Sequence, residues 1–348
     1  MKNIDWNSLS FSYTPTKALV YSRCIDGKWE SPVVTDDFSL PLSSFAGVLH
    51  YSSTCFEGLK VFRGVDGRLR MFRPDMNAKR MHDSAGYLDM PAPSEDMFIE
   101  MCLMCAKENI DYVPPYEVSG ASLYMRPVLF GINPQLGIHS AKDVMFVVMC
   151  SPVGTYSGAK SLTPGTAVLS RNYDRAASHG SGGYKIGANY AQSLHAYNIA
   201  HREGYRELLF LDSATKTMIE EFGSSNFFAI KDNTYITPDS ASVLPSITNM
   251  CLRHIAAEEL GLKVERRHIR VEELAGFEEV NSCGTAVVIT PICEIDDKPT
   301  LEGDKITTRY LFGDGEHCGA ISKKLYDRII GIQKGLDEDT YGWCLFVE

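Results

Sequence analysis

The chain has 348 residues, of which 44% are hydrophobic and 22% are charged, and its formal net charge is −10. This length favours two domains over one, and the composition is that of an ordinary globular protein. The negative charge excludes nucleic acid and anionic membranes as main partners, and no apolar run reaches the roughly 18 residues of a membrane span.

In chain order, the first half predicts short strands, then two helices, then two longer strands. Asp66-Gly67 lies between apolar runs and is typical of a hairpin turn. Pro74-Asp75 predicts the start of a helix over 76–87, and Ser94 is a candidate N-cap for a second helix. The expected strands, rich in β-branched, aromatic and Met residues, are 18–21, 60–62, 69–72, 122–130 and 143–150.

The second half alternates strands and helices after a segment, 151–165, whose prolines and glycines are typical of a linker. The expected helices are 188–202, 246–261 and 320–336, and the expected strands are 166–170, 207–211, 225–230 and 278–291. We therefore predict an α+β protein with an N-terminal domain (1–155), a linker (156–164) and a C-terminal domain (165–348).

The ten cysteines are scattered without the spacing of a disulfide framework, which indicates reduced thiols in a cytoplasmic protein. Cys102 and Cys105 form a C-x-x-C in an apolar helical stretch, where buried small side chains are expected rather than a metal or redox site. The nine histidines show no metal-ligand spacing, so no metal is expected. Residues 1–6 lack a signal-peptide core, which also favours the cytoplasm.

Lys185 lies in the Gly-rich stretch 182–187, just before the helix expected at 188–202. A lysine in such a loop either binds phosphate as a point charge or forms a Schiff base with a carbonyl cofactor. A phosphate-binding loop would continue directly with Ser or Thr, but Ile186 follows. A Schiff-base lysine for pyridoxal phosphate needs a carboxylate for the ring nitrogen, a donor for the phenolic oxygen and a separate phosphate site.

The chain offers candidates for these partners. Glu220 and Glu221 precede an apolar strand, so at least one should point inward, where a carboxylate needs a cationic partner. Arg80 is by default a surface charge on its helix, but a guanidinium is also the best bidentate partner for phosphate. Residues 244–248 are typical of a helix start, where free N–H groups favour an anion.

Two further stretches could bind anions. Gly284-Thr285-Ala286 interrupts a strand-like run and is either a bulge or a place where backbone N–H groups face an anion. Tyr124 and Arg126 alternate along a predicted strand and so face the same side. An aromatic and a charged side chain sharing one face of an apolar strand favour a site that recognises a carboxylate.

Together these motifs resemble the branched-chain amino acid aminotransferases, which are class IV (fold type IV) pyridoxal-phosphate enzymes. The resemblance covers most of the chain, through His50-Tyr51, Phe56-Glu57-Gly58, Arg80-Met81-His82, Tyr124-Met125-Arg126-Pro127, Gly183-Tyr184-Lys185, Asn189-Tyr190, 221–228, 244–248 and Gly284-Thr285-Ala286. It implies a smaller N-terminal α/β domain, a larger C-terminal domain with a β-barrel-like sheet and flanking helices, a homodimer, and pyridoxal 5′-phosphate as cofactor. The implied reaction moves the amino group of L-leucine, L-isoleucine or L-valine to 2-oxoglutarate, reversibly and by a ping-pong mechanism.

The resemblance also implies a role for each matching residue. Lys185 would form the Schiff base and carry the proton between the substrate and cofactor carbons. The other implied cofactor contacts are Tyr190 on the phenolic oxygen, Glu221 rather than Asn226 on the ring nitrogen, and Arg80, Ile247, Thr248 and Thr285 on the phosphate. The implied substrate contacts are Tyr124, Thr285 and Ala286 on the α-carboxylate, Arg126, Tyr156 and the partner subunit's Tyr51 on the side-chain carboxylate of glutamate, and Phe56, Tyr51 and Tyr190 on the apolar side chain.

Three positions depart from the class pattern. Tyr235 replaces an aliphatic residue, Asn249 replaces a basic one, and Ser246 replaces a frequent glycine. Val287 and Thr290 stand where mammalian mitochondrial relatives carry a C-x-x-C, so thiol switching is not expected at that place.

Two other interpretations stay open. One is a different class IV enzyme, a D-amino acid aminotransferase or an aminodeoxychorismate lyase. Against it, the Tyr124 and Arg126 pair beside aromatic residues suits one pocket that accepts both an apolar side chain and the carboxylate of glutamate. The other is a non-catalytic phosphate-binding protein on this fold, which the joint presence of Lys185, Tyr190 and Glu221 disfavours.

Overall fold

The computed structural model describes residues 4–155 and 162–347, which form two compact units. The first unit contains the described part of 1–158 and of two later segments, 184–188 and 330–348, and the second contains the described part of 159–183 and 189–329. The expected linker lies largely outside the described residues, so its position stays a prediction. The two later segments of the first unit are not indicated by any pattern in the sequence.

Strands predominate over helices in the described residues. In chain order, the strands are β1 (Leu19–Ile25), β2 (Lys28–Trp29), β3 (Val33–Thr35), β4 (Thr54–Phe56), β5 (Leu59–Arg63), β6 (Leu69–Phe72), β7 (Ser122–Gly131), β8 (Val144–Val153), β9 (Gly165–Ser170), β10 (Glu207–Leu211), β11 (Ile219–Phe222), β12 (Asn226–Lys231), β13 (Thr234–Pro238), β14 (Lys263–Arg267), β15 (Glu279–Gly284), β16 (Val288–Asp297), β17 (Thr308–Leu311) and β18 (Cys344–Val347). The α-helices are α1 (Gly47–Tyr51), α2 (Pro74–Tyr87), α3 (Glu95–Glu108), α4 (Gly187–Arg202), α5 (Ile247–Glu258) and α6 (Ala320–Lys334). Short 3-10 helices cover Trp6–Ser8, Ile110–Tyr112 and Val271–Gly276.

The first unit contains an antiparallel sheet with the strand order β18-β6-β5-β7-β8-β1-β2. In addition, β3 pairs with β1 and β4 pairs with β7. Helices α2 and α3 pack on one face, where Met81, Phe98 and Met101 share a core with Leu123 and Met125 of β7. Because side chains alternate along a strand, Tyr124 and Arg126 of β7 point to the opposite face.

Pro127 lies in the middle of β7, where a proline would normally cost a ladder hydrogen bond. The neighbouring chain is interrupted at this point, since β4 pairs with β7 at Phe56↔Val128 and β5 begins to pair only at Leu59↔Met125. The carbonyl of Pro127 accepts a hydrogen bond from the backbone N–H of Glu57 at 2.8 Å. Glu57 therefore lies between β4 and β5 and still makes a backbone hydrogen bond to β7.

The second unit contains a sheet that closes on itself. Strands β11-β10-β9-β16-β15-β12 follow one another, and β12 pairs with β11 to complete the ring, while β13, β14 and β17 extend it. Leu169, Leu209, Phe222 and Phe227 belong to the core that fills the ring. This closed sheet confirms the β-barrel-like sheet implied by the resemblance.

Helices pack on the outside of the ring. Ala196 and Ile199 of α4 share a core with Leu208 and Phe210 of β10, whose alternation places them on the outer face. The N-cap of α5 is Ser246, whose hydroxyl accepts a hydrogen bond from Asn249 N. Within the described ranges, no helix has the length and apolar character needed to cross a membrane.

Glu207 is a carboxyl group at the start of β10 that is only 5% exposed. Alternation places its side chain on the same face as Leu209 and Leu211, toward the core of the ring. Its Oε2 has no hydrogen-bond partner among the described residues. Burial raises the pKa of Glu207 to about 7 from an ordinary value of 4.5.

This pKa shift predicts that Glu207 destabilises the fold as pH rises. Between pH 4.5 and 7 the folded chain keeps the proton that the unfolded chain has lost, so the free energy of unfolding falls over this window and is then constant. We expect Glu207→Gln to be more stable than the parent at pH 8 by up to about 3 kcal/mol, with a much smaller difference at pH 4.5. Thermal unfolding at both pH values measures the difference. Exposed Glu272→Gln is the control, and equal differences at both pH values would contradict the prediction.

Candidate active site

The backbone of Lys185 is fixed on both sides within the first unit. Its N–H donates to Ser84 Oγ of α2 at 2.9 Å, and its carbonyl accepts from Phe56 N at 3.1 Å. The next residue, Ile186, forms a β-bridge with Cys55 of β4. The neighbouring Tyr184 stacks on Tyr87, with ring centroids 4.2 Å apart. The reactive amine candidate is therefore carried on backbone anchored to β4 and α2.

Phe56 lies beside two cationic groups of the first unit. Lys185 Nζ is 4.9 Å from the centroid of its ring, and Arg126 Cζ is 4.8 Å from the same centroid. Both distances are those of cation–π contacts. The structure thus brings together three residues that the sequence predicted to be part of one site.

Tyr124 and Arg126 share one face of β7, as the alternation of the strand predicts. Arg126 Nη2 donates to Tyr124 Oη at 3.1 Å. A Cβ at Gly58 would overlap the Tyr124 phenol, so only glycine allows the tyrosine to lie against this part of the chain. Arg126 Nε is buried and has no hydrogen-bond partner among the described residues. The guanidinium is thus held by Tyr124 and still has an unused donor.

A cavity of about 250 Å³ in the first unit is lined by Tyr124 and Arg126 together with apolar side chains that include Phe11, Phe38 and Met149. Phe11 packs edge-on against Tyr124, with ring centroids 5.0 Å apart. The cavity therefore combines an apolar wall with one cation. These are the two properties needed to accept an aliphatic side chain and a carboxylate in turn.

Arg80 is buried in α2 and forms a bidentate ion pair with Glu57. Its Nε and Nη2 lie 2.7 Å from Glu57 Oε1 and Oε2, respectively. Asn77 Nδ2 also donates to Glu57 Oε2 at 2.7 Å. Glu57 is 0% exposed, so Arg80 is positioned by a fully buried carboxylate. No role for Glu57 was evident from the sequence, although a charged residue beside the apolar β4 is a signal for an internal partner.

Glu220 and Glu221 of β11 are both only 3% exposed, so the expectation that at least one points inward is confirmed. Glu221 Oε1 pairs with Arg175 at 2.7 Å and accepts from Leu244 N at 3.1 Å. Asn226 Nδ2 donates to Glu221 Oε2 at 2.8 Å. Burial raises the pKa of Glu221, while Arg175, Leu244 N–H and Asn226 act in the opposite direction. Arg175 is a functional candidate that the sequence did not reveal, because nothing in its loop marks it.

The glycine stretch before Lys185 has a packing reason in the second unit. A Cβ at Gly182 would overlap the carbonyl oxygen of Ser242, so the two backbones approach one another closely at this point. Arg175 Nη2 also hydrogen-bonds to the carbonyl oxygens of Gly182 and Ser242. Arg175 therefore links Glu221 to this glycine stretch.

Ile247 and Thr248 occupy the first turn of α5 and are buried. Backbone N–H groups in a first turn have no acceptor inside the helix, because the first intrahelical bond of α5 is Met250 N to Ser246 O. The helix dipole adds a partial positive charge at the same place. This turn of the second unit can therefore accept a phosphate.

Gly284-Thr285-Ala286 lies where β15 ends and a three-residue turn leads into β16, with Gly284 paired with Val288. The turn, not a bulge, accounts for the interruption that the sequence shows. Ser225 lies directly beside it, since a Cβ built on Gly284 would be 3.6 Å from Ser225 Cβ. The Ser225 hydroxyl is buried and lacks a hydrogen-bond partner in the described part of the chain. The Ser225 hydroxyl and the backbone N–H groups of the small-residue turn are suited to donate hydrogen bonds to an anionic group.

The remaining predicted residues are placed as follows. Tyr190 is partly buried near the start of α4, and Tyr51 is 41% exposed at the end of α1. Tyr156 lies outside the described residues. Within the described ranges, no group of three or more His, Cys, Asp or Glu residues could hold a metal ion.

The donor set fits a phosphorylated pyridine aldehyde. A primary amine (Lys185), a buried carboxylate (Glu221), a buried guanidinium (Arg80) and the first turn of α5 are the groups that such a molecule requires for its aldehyde, ring nitrogen and phosphate. The orphaned Ser225 hydroxyl is a further donor of the kind from which a phosphate accepts hydrogen bonds.

Comparison with known proteins identifies the family of the chain. A family model for amino-transferase class IV matches residues 54–295. The branched-chain-amino-acid aminotransferase of Helicobacter pylori (strain J99) is 42% identical over 348 residues, which are 100% of this chain and 99% of that protein. The chain belongs to the class IV aminotransferase family.

Solved structures give the same fold. The Escherichia coli branched-chain amino acid aminotransferase is 27% identical, with a TM-score of 0.76, and the match covers 96% of this chain and 100% of that one. The branched-chain amino acid aminotransferase of Thermobaculum terrenum in its pyridoxal-phosphate form has a TM-score of 0.74 at 22% identity, with 96% and 99% covered, and shows the fold alone. The chain is thus a fold type IV α+β protein.

Proposed function

We infer that this chain is a branched-chain-amino-acid transaminase. It moves the amino group of L-leucine, L-isoleucine or L-valine to 2-oxoglutarate, reversibly, and uses pyridoxal 5′-phosphate. The Helicobacter pylori relative, which is 42% identical and matches over 99% of its own length, is named for this activity. The observation that carries the inference is that the Lys185 amine and the Arg126 guanidinium both lie within 5 Å of the centre of the Phe56 ring. A nucleophilic amine, a receptor for a carboxylate and an apolar wall are thereby combined.

The cofactor supplies an aldehyde for the Lys185 amine and a ring that withdraws electrons from the substrate carbon. Lys185 Nζ accepts the proton from Cα of the amino acid and, in the second half-reaction, delivers a proton to Cα of the oxo acid. Its anchored backbone limits where this amine can move. Glu221 would pair with the ring nitrogen as its counter-charge. The further contacts that we propose for the cofactor are Tyr190 on the phenolic oxygen and Arg80, Ile247, Thr248 and Thr285 on the phosphate.

Substrate recognition has to serve two kinds of side chain. We propose that Tyr124, Thr285 and Ala286 bind the α-carboxylate. With leucine, isoleucine or valine, the aromatic rings of Phe56, Tyr51 and Tyr190 contact the aliphatic side chain. With glutamate or 2-oxoglutarate, the side-chain carboxylate is bound by Arg126, Tyr156 and the partner subunit's Tyr51.

The role of Arg126 predicts a selective loss. In Arg126→Gln we expect kcat/KM for 2-oxoglutarate and glutamate to fall by about 30- to 1000-fold, because the charged donor for their side-chain carboxylate is removed. The half-reaction with L-leucine should change by less than about fivefold, since an aliphatic side chain does not use the charge. Single-turnover rates with each substrate measure the two effects separately. Arg23→Gln, at an exposed pair with Glu30, is the matched control, and equal losses in both half-reactions would contradict the assignment.

We also propose a cytoplasmic homodimer. Five large apolar side chains of the first unit are exposed by 41% to 87%, namely Phe45, Leu49, Tyr51, Leu136 and Ile138. They come from two neighbouring segments, since Gln135 N donates to Phe45 O at 2.9 Å and Tyr51 Oη to Leu136 O at 2.5 Å. An apolar patch of this kind favours a protein partner, and a second copy would bring Tyr51 to the neighbouring subunit. Light scattering should give a dimer that Ile138→Glu dissociates, whereas Leu194→Glu, at an exposed leucine of the second unit, should not.

The test of the function is a visible absorption spectrum of the purified protein. A cofactor band that L-leucine removes and 2-oxoglutarate restores would support both the half-reaction and the substrate class. A band that responds only to D-alanine would keep the fold and overturn the substrate. If no band formed after addition of pyridoxal phosphate, the transaminase assignment would fail.

A further inference from the structure

Tyr235 and Asn249, two of the positions where this chain departs from the class pattern, are in direct contact within the second unit. Tyr235 Oη lies 3.1 Å from Asn249 Oδ1. Tyr235 is 0% exposed and Asn249 is 4% exposed. Tyr235 is also fixed by stacking on Phe228, with ring centroids 4.6 Å apart and an interplanar angle of 9°. The two unusual residues thus form one buried pair.

Hydrogen bonds lead from this pair to the carboxylate of Glu221. Asn249 Nδ2 lies 3.1 Å from Asn226 Oδ1 and 2.9 Å from Thr237 Oγ1. Asn226 Nδ2 lies 2.8 Å from Glu221 Oε2 and 3.0 Å from the carbonyl oxygen of Leu244. Every link is within hydrogen-bond distance, so Tyr235 is connected to Glu221 through two amides.

The direction of these hydrogen bonds is determined by their ends. A carboxylate and a carbonyl only accept, so the amide nitrogen of Asn226 must face Glu221 and Leu244, and its oxygen must accept from Asn249. Thr237 Oγ1 donates to the carbonyl of Phe227 at 2.7 Å, so it accepts the second Asn249 hydrogen. Asn249 Oδ1 is then left to accept the Tyr235 hydroxyl hydrogen. In the series of hydrogen bonds from Tyr235 through Asn249 and Asn226, each donor therefore points toward Glu221.

The surroundings keep Tyr235 a donor. Burial raises the pKa of Tyr235 well above its ordinary value, with Cys283 acting in the same direction and Arg253 against it. Hydrogen bonds that point toward an ionised group polarise one another and favour its charged form. Glu221 Oε1 is paired with Arg175 at 2.7 Å, while the neutral amide of Asn226 orients Oε2 without adding a second positive charge.

We propose that Asn249 and Tyr235 are positioning residues that hold Glu221, through Asn226, in the orientation that pairs with the cofactor ring nitrogen. This inference rests on the proposed function and deepens it, because it assigns the two unusual residues to the ring end of the site. Neither residue touches the cofactor in this proposal.

The test uses apo-protein reconstituted with pyridoxal phosphate labelled with ¹⁵N in the ring. In Tyr235→Phe, which keeps the stacked ring, we expect the pH at which the ring nitrogen loses its proton to fall by about one unit. The dissociation constant of pyridoxal phosphate should rise by about 3- to 10-fold at neutral pH. Asn249→Leu, if it folds, should give the same changes or larger ones. Tyr205→Phe, which loses a 2.6 Å hydrogen bond to Asp296 in the same unit, is the control.

The double variant tests whether Tyr235 acts on Glu221 through Asn249. Tyr235→Phe introduced into Asn249→Leu should add less than about a twofold change in the dissociation constant, because the hydroxyl then has no path to Glu221. If Tyr235→Phe lowered the melting temperature like Tyr205→Phe but left the ring-nitrogen titration and the dissociation constant at their parent values, the proposal would be overturned. A parent protein that bound no cofactor would instead overturn the proposed function.

Discussion

Lys185→Ala is expected to abolish transamination and the visible cofactor band while leaving the fold intact. The loss in kcat should be about 10⁴-fold or more, because one change removes both the nucleophile for the aldehyde and the group that moves the proton. The fold should survive because the contacts that hold this segment are made by the backbone N–H and carbonyl of Lys185, which alanine retains. Stopped-flow absorbance with L-leucine and circular dichroism measure the two outcomes.

Lys79→Ala is the matched control, since this lysine is exposed on α2 and lies next to Arg80 in the sequence. It should leave the band and the rate unchanged within about twofold. A Lys185→Ala protein that kept the band and the activity would show that another amine carries the chemistry.

Glu57→Gln should produce the largest loss of stability. The glutamine keeps the size of the side chain but leaves the Arg80 guanidinium without its bidentate partner in a site where Glu57 is fully buried. Removing one member of a buried ion pair costs about 3–5 kcal/mol. If Arg80 binds the cofactor phosphate, that phosphate supplies a second anion. We therefore expect pyridoxal phosphate to raise the melting temperature of Glu57→Gln by more than it raises that of the parent.

Asp66→Asn tests whether this rescue is specific. It also breaks an Arg–carboxylate pair of the first unit, with Arg70 at 2.7 Å, but its melting temperature should respond to pyridoxal phosphate as the parent does. Equal cofactor effects on the parent and on Glu57→Gln would mean that Arg80 does not contact the phosphate.

The helices were predictable because their end signals are local. The Pro74-Asp75 start and the Ser94 cap both correspond to observed helix starts, at α2 and α3. The strand region predicted at 278–291 contains two strands, β15 and β16, joined by a turn at the predicted break Gly284-Thr285-Ala286. That this break is a turn was not evident from the sequence, since residues 285–287 are small or apolar and lack the Asn-Gly or Asp-Gly signal of a tight hairpin.

The end of the first sheet was misjudged for a related reason. Residues 151–153 were predicted to begin a linker because of Pro152, but they continue β8, where Pro152 pairs with Leu123. The pairing of β1 with β8 ends at Val148. Pro152 therefore lies beyond the part of β8 that pairs with β1, so its missing N–H costs no hydrogen bond to that strand.

The site was predictable where its residues are neighbours in sequence and not where they meet through the fold. The shared face of Tyr124 and Arg126 follows from strand alternation alone. The pairing of Arg80 with Glu57 and of Arg175 with Glu221 depends on which elements pack together. Glu221 rather than Asn226 was predicted to contact the ring nitrogen. In the structure, Asn226 donates a hydrogen bond to the Glu221 carboxylate.

The position of β18 has a consequence for how the protein is made. This strand pairs with β6, so the sheet of the first unit needs residues from both ends of the chain. At synthesis rates of roughly 5–20 residues per second, β6 leaves the ribosome tens of seconds before its partner. During that interval the first unit has an open edge that could pair with another nascent chain. Arg68 and Arg70, whose guanidinium groups lie over Phe346 of β18 in the finished sheet, place charged side chains on this edge, and charge on an open edge disfavours pairing with another chain.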